Sequence, residues 1–168
     1  MKTSADGKKK WTMLLEKPAG PIPTIAELNA GDDFSCVVLE SDIAWSPVAS
    51  DRFNEKVSCQ KGNSQALGAS NFETALTFVR EWLSTGLGAD ITGLDKAYQA
   101  VRVKGTTVWI YLRETDKESP EPWATGDEIF LGGEVVSDAP TRPGNDGNIK
   151  RRVEFLPQNM ISEVLVAA

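Results

Sequence analysis

A chain of 168 residues, 40% hydrophobic and 25% charged, is long enough to bury a core without disulfides or metal and fits one domain with extended arms. Its net charge of −6, from 24 acidic and 18 basic residues, argues against tight binding to a polyanion, and the absence of histidine removes the commonest general base, the serine and cysteine triads and nearly all catalytic zinc sites. No apolar stretch approaches the roughly 18 residues of a membrane span, and the first ten residues are too polar for a secretory signal.

Residues 1–10 carry Lys and Ser without periodicity and read as a flexible N-terminal arm. A first strand is expected at 11–15. Pro18, Pro21 and Pro23 then hold the chain extended or turning, because each ring fixes its own φ and restrains the residue before it. Residues 26–29 have room for one helical turn, closed by Gly31, and 34–39 is an apolar run suited to a buried strand. Residues 41–70 are rich in Ser, Asn, Asp and Gly. A structureless loop of that length is unusual in a compact domain, so an extended hairpin arm around Lys61-Gly62-Asn63 is expected, ordering against a neighbour.

Residues 72–83 fit two periodicities. Phe72, Leu76, Phe78 and Trp82 share a face at period two, whereas Phe72, Leu76, Val79 and Leu83 fit a helix; the β-favouring residue types decide for a strand. Gly86 and Gly88 break that element. Thr92 followed by Asp95 resembles a cap, and Leu94, Ala97, Tyr98 and Val101 recur at helical spacing, which predicts one short helix over 92–101. Strands follow at 107–114, 128–136 and 149–156, separated by turn-rich stretches at 119–122 and 140–148, with a further strand at 164–168. Together these make a mainly β domain spanning 1–168, a sandwich or barrel flanked by one short helix.

Motifs that could carry chemistry are weak. Gly86-Leu87-Gly88 precedes the helix like a dinucleotide-binding turn, but Ile91 stands where a third glycine belongs and no acidic residue lies at the required distance. Asp32-Asp33 and Asp127-Glu128 are adjacent pairs, and neighbours on a strand point to opposite faces. Gly144-Asn145-Asp146-Gly147-Asn148 lacks the alternate spacing of a calcium loop and reads as a turn. Lys8-Lys9-Lys10 and Lys150-Arg151-Arg152 are basic runs, the second placing Lys150 and Arg152 on one strand face, where a contact to another subunit competes with a solvated face. Cys36 and Cys59 are expected to be reduced and buried. Five tryptophans, Trp11, Trp45, Trp82, Trp109 and Trp123, fit a sugar platform, an interface or the core, and residue type alone does not separate these. No catalytic residue, cofactor or metal site is expected.

The chain resembles the tail tube proteins of siphophages that infect actinobacteria. The resemblance is carried by residues 21–36, with Pro21-Ile22-Pro23 leading into Ala26-Glu27-Leu28 and Phe34-Ser35-Cys36, and by residues 68–78 around Phe72-Glu73-Thr74. Gly126-Asp127-Glu128, Asp138-Ala139-Pro140-Thr141, and the end from Gly147-Asn148-Ile149 through Pro157-Gln158 to Val166-Ala167-Ala168 continue it. These stretches cover nearly the whole chain in the family's order; the sequence departs at Asn145-Asp146-Gly147-Asn148, where family members often carry an aromatic.

The resemblance implies a β-sandwich with a flanking helix and a long hairpin arm at 41–70. It further implies hexameric rings stacked into a tube around a tape-measure protein, with terminator and distal tail proteins at the ends, and a lumen that DNA crosses without specific binding. Such a subunit belongs to the virion tail, assembles in the host cytoplasm and catalyses nothing. Within that frame the expected lumen-facing acids are Asp51, Glu55, Glu73 and Glu81, and the expected interface residues are Trp45, Phe53, Phe72 and Trp82, chosen for their position on or beside the arm. A single-ring terminator or connector, a monomeric carbohydrate-binding β module and a carboxylate-dependent hydrolase are the alternatives.

Overall fold

The alternating apolar stretches become nine strands among the residues that the computed structural model describes, 3–59, 61–86, 88 and 94–168. In chain order they are β1 Lys9–Leu14, β2 Asp32–Asp33, β3 Ala44–Val48, β4 Arg52–Glu55, β5 Ser64–Leu67, β6 Asn71–Val79, β7 Thr107–Glu114, β8 Glu128–Ser137 and β9 Lys150–Leu165. Seven of these form one antiparallel sheet in the order β2-β1-β7-β8-β9-β6-β3, while β4 and β5 pair only with each other.

The strand β9 is the joint of the molecule. Its residues 150–154 pair with β6, and residues 155–165 pair with β8. The sheet therefore curls into two facing layers, the sandwich arrangement in which inner side chains of both layers share one core. β3, at one margin, comes to lie over the opposite layer. Its Trp45 donates from Nε1 to the Leu131 carbonyl of β8 at 3.1 Å, and its ring meets Trp11 of β1 edge-on at 5.5 Å.

Between the layers Trp11, Phe34, Trp45, Leu76, Phe78, Ile110, Leu131, Val135 and Val153 form the main core. Each large aliphatic or aromatic side chain fully buried there contributes about 1.5–3 kcal/mol. A short helix, α2 (Lys96–Val101), adds Ala97, Tyr98 and Val101 to this core. The other face of the β1-β7-β8 layer is covered by α1 (Ile25–Ala30), whose Leu28 packs with Tyr111, Trp123, Ile129 and Val166. Thr24 and Glu27 form a reciprocal capping box at the start of α1. Glu27 also accepts from the Ala19 N–H at 2.8 Å. This bond and the one from the Thr24 N–H hold its carboxyl below the ordinary range. Gly31 ends α1 where an added Cβ would stand 2.5 Å from Leu14 Cδ2, so a side chain there would push the helix off the sheet.

Several expectations are corrected. Residues 34–39 are not a strand: a 3-10 turn at Ser35–Val37 is followed by a single bridge from Val38 to Phe78. Phe34 and Val37 are nonetheless buried, because the segment only has to cross the gap between β1 and β6. The N-terminal arm is shorter than residues 1–10, since Lys9 and Lys10 belong to β1; Lys9 pairs with Glu40 and Lys10 with Asp33. There are two short α-helices among the described residues, not one. The strands expected at 149–156 and 164–168 are one strand of 16 residues, and β6 stops at Val79 instead of reaching 83. Pro157 sits inside β9 next to a register shift in its pairing with β8, a position where its missing N–H is tolerated. Cys36 and Cys59 are free, as expected, but exposed, not buried. Thr92, expected to cap α2, lies outside the described residues.

Candidate assembly surface

The hairpin arm is real and shorter than residues 41–70, because 44–48 join the main sheet as β3. What projects is β4–β5, registered Arg52↔Leu67, Phe53↔Ala66, Asn54↔Gln65 and Glu55↔Ser64, with every one of these residues exposed. Its root is tied down. The Asp51 N–H donates to the Ala69 carbonyl at 2.9 Å, the Gly68 N–H donates to the Asp51 carbonyl at 2.7 Å, and Asn71 Nδ2 donates to Asp51 Oδ1 at 3.0 Å. Gly68 lies beneath the Phe53 ring, where an added Cβ would come within 2.5 Å of Cε2. Phe53 is 59% exposed and Leu67 79%. A two-stranded hairpin with its apolar side chains in water is marginal by itself.

Two margins of the main sheet are also open among the described residues. No strand pairs with the outer side of β3, and beyond Glu154 no strand pairs with β9 on the side away from β8. Rows of unpaired backbone donors and acceptors of this kind are templates for strand addition from another chain.

The sequence-predicted site residues divide between surface and core. Asp51, Glu55, Glu73 and Glu81 are all exposed. Asp51 and Glu55 lie on the arm, Glu73 pairs with Ser46 across β3–β6, and Glu81 follows the end of β6, so the four are spread over the arm and β6. Among the aromatics, Trp45 is 4% exposed and packs in the core, and Phe72 is half-buried against it. Phe53 and Trp82, the latter 40% exposed, keep free surface. The burial of Trp11, Trp45 and Trp123 also removes three of the five tryptophans from any sugar platform.

Two polar clusters were not visible in the sequence. Arg80, just past β6, is clamped by Asp95 through Nε at 2.5 Å and Nη2 at 2.8 Å. Asp95 is fully buried and also accepts from Gln99 Nε2 at 2.7 Å. The guanidinium lies 4.0 Å from the Tyr98 ring centre and 4.6 Å from that of Trp82, so the cation sits between two aromatic faces. The Asp95 side chain, expected in a capping pattern with Thr92, makes no cap bond and accepts from Arg80 instead. The second cluster fixes the β7–β8 connection. Arg113, fully buried, donates to the Pro122 carbonyl at 3.0 Å, the Glu118 carbonyl at 2.8 Å and Asp127 Oδ2 at 3.3 Å. Trp123 donates from Nε1 to Thr12 Oγ1 at 2.9 Å and exchanges two further bonds with Asn29. The adjacent acids Asp127 and Glu128 are thus split, one buried on Arg113 and Lys117, the other exposed. Asp32 and Asp33 likewise diverge, to Lys96 and Lys10.

The geometry is that of a curled sheet with a projecting hairpin and open edges. A family model described as phage tail tube protein matches residues 1–168, the entire chain. Comparison with curated proteins and with solved structures finds no match.

Proposed function

Because the chain belongs to the phage tail tube protein family, and is therefore a structural component of a virion tail and not an enzyme, we propose that its copies close into hexameric rings that stack into the conduit for DNA ejection. The observation that carries this reading is the β4–β5 arm, an ordered hairpin whose strand residues are all exposed in the single subunit. Strand addition at the open margins of β3 and β9 supplies the ring contacts, closing a barrel around the lumen and removing the edges that a lone subunit exposes. Phe53, Trp82 and the half-buried Phe72 contribute apolar contact to these interfaces, with Trp45 supporting them from the core. Asp51, Glu55, Glu73 and Glu81 line the lumen, where carboxylates repel the phosphate backbone and let DNA pass without adhering. A tape-measure protein occupies the lumen before DNA does, terminator and distal tail proteins close the ends, and assembly takes place in the host cytoplasm. The ordered stretches from Pro21 to Ala168 support a siphophage of an actinobacterium as the source.

The experiment is negative-stain electron microscopy of the purified protein over a concentration series. Long hollow tubes with a sixfold cross-section are expected. Isolated rings at every concentration would favour the single-ring terminator, and monomers throughout would refute self-assembly.

A further inference from the structure

The ladder registers define two ends of the β1-β7-β8-β9 layer. Lys9, Glu114, Glu128 and Leu165 lie at one end; Leu14, Trp109, Ser137 and Phe155 lie toward the other. The β7–β8 connection occupies the first end. The α2–β7 connection and the β8–β9 connection occupy the second.

These ends carry opposite charge in a molecule that is acidic overall. Residues 113–128 hold six acids against Arg113 and Lys117, a net −4. Arg113 and Lys117 are both committed to the one buried acid, Asp127. That leaves Glu114, Asp116, Glu118, Glu121 and Glu128, all exposed. Asp6 and Lys8, in the turn that meets this connection, cancel each other. At the second end, residues 102–106 and 138–152 hold six cations against Asp138 and Asp146, a net +4. Lys104 is held by Asp138 and Arg152 by Asp42. Among the described residues, Arg102, Arg142, Lys150 and Arg151 make no ion pair. Even with Glu81, which follows β6 at this end, the balance stays positive. Val103 and Ile149 expose apolar surface beside these cations. The acidic end is also stiff, because the Arg113, Trp123 and Asn29 bonds fix the connection that presents its carboxylates.

We infer that the acidic 113–128 end of one subunit docks on the basic end, 102–106 with 138–152, of a second copy, and that this pairing of opposite charge is the contact between successive rings. This rests on the tube reading above and names the surfaces and the force that set its axial contact. A contact between two different patches closes into a ring where its rotation allows and otherwise propagates as a filament; a contact between opposite ends of the subunit is of the second kind. Opposite charge at the two ends suits that repeat, and it penalises head-to-head pairing by like-charge juxtaposition.

The test uses two double variants of the full chain, Asp116→Lys with Glu118→Lys, and Arg142→Glu with Lys150→Glu. None of these four side chains makes an ion pair among the described residues. Each variant should raise the protein concentration at which tubes appear by about tenfold or more, and leave single rings below it. An equimolar mixture should restore tubes at near the wild-type concentration, because the ends of one variant now complement those of the other. Assembly of either variant at the wild-type concentration, or failure of the mixture when both variants are folded by circular dichroism, overturns the inference while leaving the tube reading intact. Absence of tubes from the wild-type chain overturns both. If a reversed variant does not fold, the neutral pair Asp116→Asn with Glu118→Gln is measured instead. It should raise the tube-forming concentration and weaken its dependence on salt; an unchanged concentration overturns the inference.

Discussion

Arg80 and Asp95 lie 15 positions apart in sequence, and nothing in their spacing or residue type announces a pair. Their contact depends on β6 ending at Val79 and on α2 docking against Phe78, which are facts of the whole fold. Asp95 is fully buried and Arg80 nearly so, and removing one member of such a pair strands a charge in the interior. Arg80→Ala should therefore destabilise the subunit by about 3–5 kcal/mol in urea unfolding. Asp95→Ala should cost a similar amount, and the double variant clearly less than the sum of the two. Additive losses would show that the two residues act independently. Phe53 poses the opposite case, a large apolar side chain that contributes little to the folded subunit. Phe53→Asp is expected to leave the melting temperature within a few degrees of wild type and to abolish tube formation in sedimentation. Tubes at wild-type yield would remove Phe53 from the interface.

Among the elements, the strands expected at 107–114 and 128–136 are legible because apolar runs are bounded there by turn-rich stretches. The arm was legible by elimination: a long polar stretch with a central Lys-Gly-Asn has few other ways to be ordered. At residues 34–39 burial and strand are separate properties: Phe34 and Val37 are buried from a 3-10 turn that bridges two strands. β9 runs through Pro157 as one strand because the register of its pairing with β8 shifts there. The open margins of β3 and β9 are not legible in the sequence, since an open edge is defined by the strand that is missing beside it. The α1 element carries its own test. Glu27 has a carboxyl lowered by bonds from Ala19 and Thr24. A depressed carboxylate stabilises the fold above its ordinary pKa of 4.5 and loses that contribution as pH falls through the lowered folded-state value. Glu27→Gln should flatten the fall in melting temperature on acidification below about pH 4.5 relative to wild type. Parallel curves for the two proteins would show that Glu27 contributes nothing to acid sensitivity.

At the scale of the whole molecule, function depends on what the surface does and not on any cleft. The net charge of −6 is divided, with a basic end, an acidic end and further exposed carboxylates on the arm and on β6. Charge reversal of Glu73 and Glu81 to lysine should permit tubes to form yet slow DNA release in an ejection assay, because cationic sites in the bore would hold the passing phosphates. Normal ejection through such tubes would place those two carboxylates outside the bore.

The position of β9 in the chain has a consequence for synthesis. β1 pairs with β7 across about a hundred residues, and strand pairing links the two layers only when residues 150–165 are in place. Loop closure over such distances is slow, and nothing rewards it until the far strand has emerged. A nascent chain on the ribosome therefore carries β6 and β3 without β9, and the open margin of β9 does not exist until residues 155–165 have emerged. A chain stopped at residue 149 should show no cooperative unfolding transition in urea, and should neither join nor poison a growing tube in sedimentation.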